Sequence, residues 1–235
     1  ALPGFLDLTV TNPYKAAAFR CLDGLPVRVE AADRVSHLGC LNHIVLDPRT
    51  GTGFADNTDG QGMTRALRKR TALDGARVLL AGAGGAAASI GYELVREGAE
   101  LFIANIVEDD AHLLAETLGR FRRPGRTVSA GGWNMIGRLA PGRDIVVSAV
   151  TVSTPLTPEA IETLPPKIIL TDVRYGAAAE FAAAARRVGR PCIDGREMLY
   201  GQFRLAAERA GAVLELDPGA VSAALDDVET RFLAG

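Results

Sequence analysis

Beyond residue 75 the chain alternates between short, nearly unbroken apolar runs and longer stretches in which apolar positions recur at helical spacing. The runs are ARVLLAG (76–82), ELFIANI (100–106), DIVVSAV (144–150), KIILTDV (167–173) and PCIDG (191–195). Apolar segments of this length, bounded by turn residues, read as strands. Between them, helical periodicity covers 86–97, 109–122, 157–163 and 176–188. A strand–helix–strand rhythm of this kind predicts an α/β fold, a Rossmann-type doubly wound parallel sheet with helices on both faces. The alanine-rich AAAEFAAAA (177–185) fits a packed helix, because alanine is the best helix former.

The first 60 residues read differently. FLDLTVT (5–11) is strand-like, a helical piece falls near 15–22, and LNHIVL (41–46) runs into DPRTGTG (47–53), a hairpin signal. After residue 196 the pattern is helical, over 197–211 and 218–233. Neither end closes a sheet alone. The pattern therefore predicts a second, smaller α/β lobe built from both chain ends, residues 1–59 plus 196–235, hinged around 60–70 and 195–200 to a βα lobe of residues 60–195.

Composition narrows the partner. With 26 Lys and Arg against 28 Asp and Glu in 235 residues, the net charge is −2, which supplies no global field for nucleic acid or an anionic membrane. A small molecule is the expected partner. Cys21, Cys40 and Cys192 are odd in number and scattered, which argues for a reducing, cytoplasmic compartment rather than a disulfide framework. No apolar run approaches the ~20 residues of a membrane helix, and the opening residues lack the order of a signal peptide. A homodimer is one assembly open to such a chain.

The strongest chemical signal is VLLAGAGGAAASIGYEL (78–94). Gly82, Gly84 and Gly85 follow a predicted strand and open a predicted helix, with Ala87 where the third small residue of a G-x-G-x-x-G/A turn belongs. Such a turn brings backbone close to a pyrophosphate and aims helix N-terminal N–H groups at its charge; the alternative is a merely tight strand-to-helix turn. The cofactor ribose would be read about 20 residues on, where Asn105 is followed by Ile106, Val107, Glu108, Asp109 and Asp110. No Arg or Lys waits there, which leans toward NAD. Those acids also suit a solvated helix N-terminus.

Hydride transfer across a cleft requires a group that moves the substrate's hydroxyl proton. Lys15, just past Asn12-Pro13, and Asp59, in DNTDGQG (56–62), are candidates, since a carboxylate beside an ammonium orients it. The plainer reading is a surface lysine and a helix N-cap aspartate.

These residues carry a resemblance. TVTNPYK (9–15), GCLNH (39–43), DNTDGQG (56–62), GAGGA (82–86), DVRY (172–175) and DGREMLYGQ (194–202), in that order along nearly the whole chain, are similar to the motifs of the shikimate dehydrogenase family. The resemblance implies reversible oxidation of shikimate to 3-dehydroshikimate with NADP or NAD. It implies Lys15 and Asp59 as the catalytic pair, and Thr11, Asn42, Tyr175 and Gln202 as contacts to a hydroxylated ring carboxylate. Gly82, Ala83, Gly84, Gly85 and Ala86 would form the pyrophosphate loop, Asn105 would begin the ribose-reading turn, and Gly195 and Met198 would lie near the nicotinamide. A quinate or aminoshikimate-type dehydrogenase and a non-catalytic nucleotide-binding regulatory module are the alternatives.

Departures from the family pattern sharpen the expectation. Thr9, His43 and Ile106-Val107 replace an asparagine, a threonine and an Arg-Thr pair, so the usual 2′-phosphate clamp is absent at its place. SAVTVST (148–154) replaces the loop beside the nicotinamide ribose, and Ala177 and Glu180 stand for a proline and a threonine. The family also begins with a strand, a helix and a carboxylate-gripping serine turn, for which this sequence has no counterpart ahead of ALPGF. His37, His43 and His112 lack ligand spacing, so no metal site is expected. Cys40, Trp133 and Tyr200 read as packing residues.

Overall fold

The computed structural model describes all residues except 1–5, 12, 48, 152, 214, 215 and 235. Its larger sheet comprises β5 (Arg77–Ala81), β6 (Glu100–Asn105), β7 (Val128–Gly132), β8 (Ile145–Ser148), β9 (Ile169–Asp172) and β10 (Cys192–Ile193). The spatial order is β7-β6-β5-β8-β9-β10, with every pair parallel. Strand order reverses after β5. The crevice between the carboxyl ends of β5 and β8 is therefore the switch point where a ligand of such a sheet sits.

Both faces of this sheet are covered, which explains the unbroken apolar runs. On one face Val78, Leu80, Ile103 and Val147 pack with residues of α3 (Asp59–Arg68), α4 (Gly85–Arg96), α5 (Glu108–Gly119) and α9 (Gly195–Val213). On the other, Leu79, Ala81, Val146 and Leu170 pack against α6 (Ile136–Leu139), α7 (Pro158–Glu162) and α8 (Glu180–Arg187). The strand β7 has no strong signal in the sequence. VSAGG offers one β-branched residue and two glycines, and the strand exists because it pairs with β6 from Val128 to Gly132.

The smaller sheet is β1 (Leu6–Thr9), β3 (His43–Asp47), β4 (Thr52–Asp56) and β2 (Arg28–Ala31), in that spatial order, antiparallel except for β2 against β4. The predicted hairpin joins β3 to β4, with Gly51 in the left-handed region at φ 69°. All four strands come from residues 6–56, so the N-terminal end forms this sheet by itself, and the C-terminal segment is α9 and α10 (Pro218–Ala234), the two helices its pattern predicts. The expected joint at 60–70 is largely helical. Asp59–Arg68 is a helix whose Gly60, Gly62, Met63, Ala66 and Leu67 are buried, held between α4 and α9. The core of this sheet is small, centred on Val35, Leu41, Ile44 and Ala55, with Val35 supplied by α2 (Asp33–Leu38). Among the described residues no helix is long and apolar enough to cross a membrane.

Candidate active site

The Tyr14 N–H donates to the Thr11 carbonyl (2.9 Å), and Lys15 then starts α1 (Lys15–Arg20). The Leu41 N–H donates to the Lys15 carbonyl at 3.2 Å, tying this helix start to the loop ahead of β3. Lys15 Nζ pairs with Asp59 Oδ2, with the lysine side chain 15% and the aspartate 2% exposed. Asp59 is the first residue of α3 rather than its N-cap; Thr58 holds the cap position without a side-chain bond. The carboxylate of Asp59 is thus free to turn toward the lysine.

Asn42 extends the network. Its amide nitrogen donates toward Asp59 Oδ1 (2.9 Å), Gln202 Oε1 (2.8 Å) and Thr58 Oγ1 (3.2 Å), while its Oδ1 accepts from the Thr58 N–H (2.8 Å). Two amide hydrogens face three acceptors, so both are engaged. Four segments thereby converge: α1, the 41–42 loop, the start of α3, and α9.

The glycine loop stands beside this network. Gly82 has φ +117°, and a Cβ there would lie 2.5 Å from the Ala149 carbonyl oxygen, so the turn admits no side chain. Gly84 caps α4 with open space around it, and the first turn carries neither an acid nor a side-chain cap bond. The uncapped N–H groups of this 12-residue helix suit an anion. A Cβ on Gly85 would sit 3.8 Å from Lys15 Cδ, which places the lysine stem against the loop. A cavity of about 290 Å³ opens alongside, lined in part by Gly84, Gly85, Cys40, Asp110 and Leu113.

Cys40 Sγ accepts from Asn57 Nδ2 at 3.2 Å, and burial raises its thiol pKa. Burial also pushes the Cys192 thiol up to about 12, whereas Cys21 is exposed. In a thiol titration of the folded protein at pH 8, one fast equivalent from Cys21 is expected, with the other two released by denaturant. Three fast equivalents would contradict this placement.

Among the described residues, the side chains of the other expected site positions make no hydrogen bond to the network. Thr11 is exposed and Tyr175 is 51% exposed. Asn105 turns its amide back to the Val107 carbonyl (3.1 Å), leaving Ile106 and Val107 exposed ahead of the acidic first turn of α5. Gly195 packs against β9, where a Cβ would fall 2.2 Å from the Val173 carbonyl oxygen. Met198 buries its side chain in the core and presents its carbonyl oxygen to Gly62. His43 is buried and pairs with Asp7 at 2.8 Å across β1 and β3. No group of three or more metal-ligating side chains occurs among the described residues.

Sequence reasoning missed two sets of charged residues. Arg34, Asp56, Glu93 and Arg209 form a charge cluster behind the 56–59 segment. Arg174 donates to Asp172 (3.3 Å) and to the Ser153 carbonyl (3.1 Å), stapling the loop after β8 to the end of β9. Their partners are distant in sequence or lie in loops without periodicity, so no local signal marks them.

No protein-family model matches the chain. It is 34% identical over 230 residues to shikimate dehydrogenase (NADP+) of Rubrobacter xylanophilus, spanning 94% of this chain and 77% of that protein. Its fold superimposes with a TM-score of 0.73 on a crystal structure of shikimate dehydrogenase in complex with NADP+, at 23% identity over 94% of this chain and 76% of the other. Quinate dehydrogenase from Corynebacterium glutamicum in complex with NAD gives a TM-score of 0.69 at 27% identity, over 92% and 75%.

Proposed function

The chain belongs to the shikimate dehydrogenase family, and from that premise we propose that it interconverts 3-dehydroshikimate and shikimate, with Lys15 and Asp59 handling the proton of the reacting hydroxyl. The observation that carries this reading is the buried Lys15–Asp59 pair set against Gly85 of the nucleotide loop. Asp59, held by Asn42, fixes the position of Lys15 Nζ; in reduction the Lys15 ammonium gives a proton to the forming hydroxyl, and in oxidation the neutral amine, left after a proton has passed to solvent, takes the hydroxyl proton. Asn42 and Gln202 offer polar atoms for the remaining hydroxyls, Thr11 and Tyr175 stand at the exposed margin, and the substrate is a hydroxylated ring carboxylate. We take residues 1–59 plus 196–235 as the substrate lobe and 60–195 as the nucleotide lobe. The free thiols suit a reducing cytoplasm.

A nicotinamide dinucleotide, NADP or NAD, fits the residues present. Gly82, Ala83, Gly84, Gly85 and Ala86 leave room for a pyrophosphate at the start of α4. When bound, the nicotinamide supplies the hydride acceptor and donor. Turnover of shikimate with either nucleotide tests the reading, and a protein that oxidises neither shikimate nor quinate would overturn it.

The ribose end favours NAD. A 2′-phosphate near Asn105 would meet the Glu108, Asp109 and Asp110 carboxylates of the first turn of α5, and Ile106 offers no cation. Ile106→Arg is expected to tighten NADPH at least about tenfold relative to NADH, roughly one strong charge-assisted contact. Fluorescence titration of both nucleotides measures this, and an unchanged ratio would count against the assignment.

A further inference from the structure

Behind the Lys15–Asp59 pair lies a cluster of four charges drawn from four elements. Arg34, on α2, donates from Nη1 to Asp56 Oδ1 (2.6 Å) and from Nε to Glu93 Oε1 (2.9 Å). Asp56 ends β4 and is wholly buried; Glu93 lies on α4 and is nearly so. Arg209, from α9, pairs with the second oxygen of Asp56 and lays its guanidinium 4.7 Å from the Phe54 ring centroid. Burial, then the neighbouring Arg34 charge, lower the Arg209 pKa to about 10. Ionised groups buried this deeply are costly unless paired.

The cluster bears on the reacting groups by its connections. Asp56 Oδ1 also accepts the Asn57 N–H (2.7 Å), and the Asp56 carbonyl accepts the Asn42 N–H (2.9 Å), so Arg34 anchors both the residue that begins the 56–59 segment and the loop carrying Asn42. On α4, Glu93 stands one turn beyond Ser89, whose hydroxyl accepts the Gly60 N–H at 2.8 Å. A Cβ on Gly60 would lie 2.9 Å from Glu93 Cγ. The helix that begins at the glycine loop therefore grips the Asp59 segment at two points, directly through Ser89 and through Glu93, Arg34 and Asp56.

We infer that Arg34 and Glu93 are positioning residues, which set the distance between the nucleotide-bearing helix and Asp59 by clamping β4 to α4. This rests on the proposed reading of Lys15 and Asp59 as the proton-handling pair. Each ligand binds largely to groups the clamp does not touch, so the clamp governs how the two bound ligands are placed against each other, and misplacement of about 1 Å can cost two orders of magnitude in rate.

The test compares wild type with Glu93→Gln, Arg34→Gln and Arg34→Lys. It reads kcat, the dissociation constants of NADH and shikimate by fluorescence titration, Tm, and the primary isotope effect with 4-deuterated NADH. Glu93→Gln, which keeps the Arg34–Asp56 contact, is expected to lower kcat about 10- to 100-fold. Both dissociation constants should stay within about twofold, since the clamp touches neither ligand. The isotope effect should rise as the chemical step becomes limiting, and Arg34→Lys should recover part of the rate lost in Arg34→Gln. Unchanged kcat would overturn the inference, as would weakened nucleotide binding that accounts for the whole loss. So would a rate restored merely by assaying below the lowered Tm. A wild-type protein inactive on both ring substrates would instead fault the functional reading on which the inference rests.

Discussion

Replacing Lys15 with alanine is expected to lower kcat by about 10²–10⁴-fold, the usual range for a group that moves a proton in the rate-limiting step. That loss corresponds to roughly 3–5 kcal/mol of barrier. The same substitution removes the cation paired with a carboxylate that is 2% exposed, and an unpaired buried charge lowers stability as well. A fall in activity alone would therefore leave fold and chemistry entangled. The double variant Lys15→Met with Asp59→Asn separates them. It removes both charges while the Asn42 side chain, 2.9 Å from Asp59 Oδ1, keeps a hydrogen-bonding neighbour, so Tm should return toward wild type. Turnover should stay down. Steady-state kinetics and a thermal melt on both variants measure this, and a single variant that retained wild-type kcat would remove Lys15 from the mechanism.

What could be read from the sequence depended on whether the relevant residues are neighbours along the chain. The glycine loop was legible because its tight turn and helix start need Gly82, Gly84 and Gly85 in one short stretch after a strand. The strands β5, β6, β8 and β9 were legible because burial on both faces demands nearly continuous apolar residues. By contrast, RVEA of β2 and TGFAD of β4 carry mixed residues, and the partners across the sheet hold them in place. The pairing of Lys15 with Asp59 spans 44 positions, and that of Asn42 with Gln202 spans 160. No periodicity encodes such a meeting. It could be approached through similar motifs, whereas the Arg34–Glu93 contact, 59 positions apart, was invisible to both routes. The helical form of the 60–70 segment was hidden for a related reason. Its glycines look like turn residues, but Gly60 and Gly62 serve close helix packing, where a side chain would collide with neighbouring backbone.

Gly60→Ala is accordingly expected to be among the most damaging single substitutions outside the reacting groups. A Cβ at residue 60 would stand 2.1 Å from the Ser89 carbonyl oxygen, an atom in the middle of α4 that cannot yield without displacing the helix. At Gly62 the obstacle is the Met198 carbonyl oxygen of α9, 2.4 Å away, with Gly201 of that same helix packed against Gly62. Overpacking of buried contacts costs about 1–3 kcal/mol and sometimes more; with rigid backbone as the obstacle, the upper end applies to each. For a chain of this size about 3 kcal/mol lowers Tm by roughly 6–12 °C. Gly137→Ala is the matched control. Gly137 is exposed within α6, a methyl group there would meet nothing within 4 Å, and its φ is not left-handed, so the change should be neutral or raise Tm slightly. Because α3 carries Asp59 between α4 and α9, the surviving folded fraction of Gly60→Ala should also lose kcat, whereas Gly137→Ala should not. Melting curves and kinetics on wild type and the two variants decide the matter: a Gly60→Ala protein as stable and as active as Gly137→Ala would mean that α3 does not sit against α4 as described.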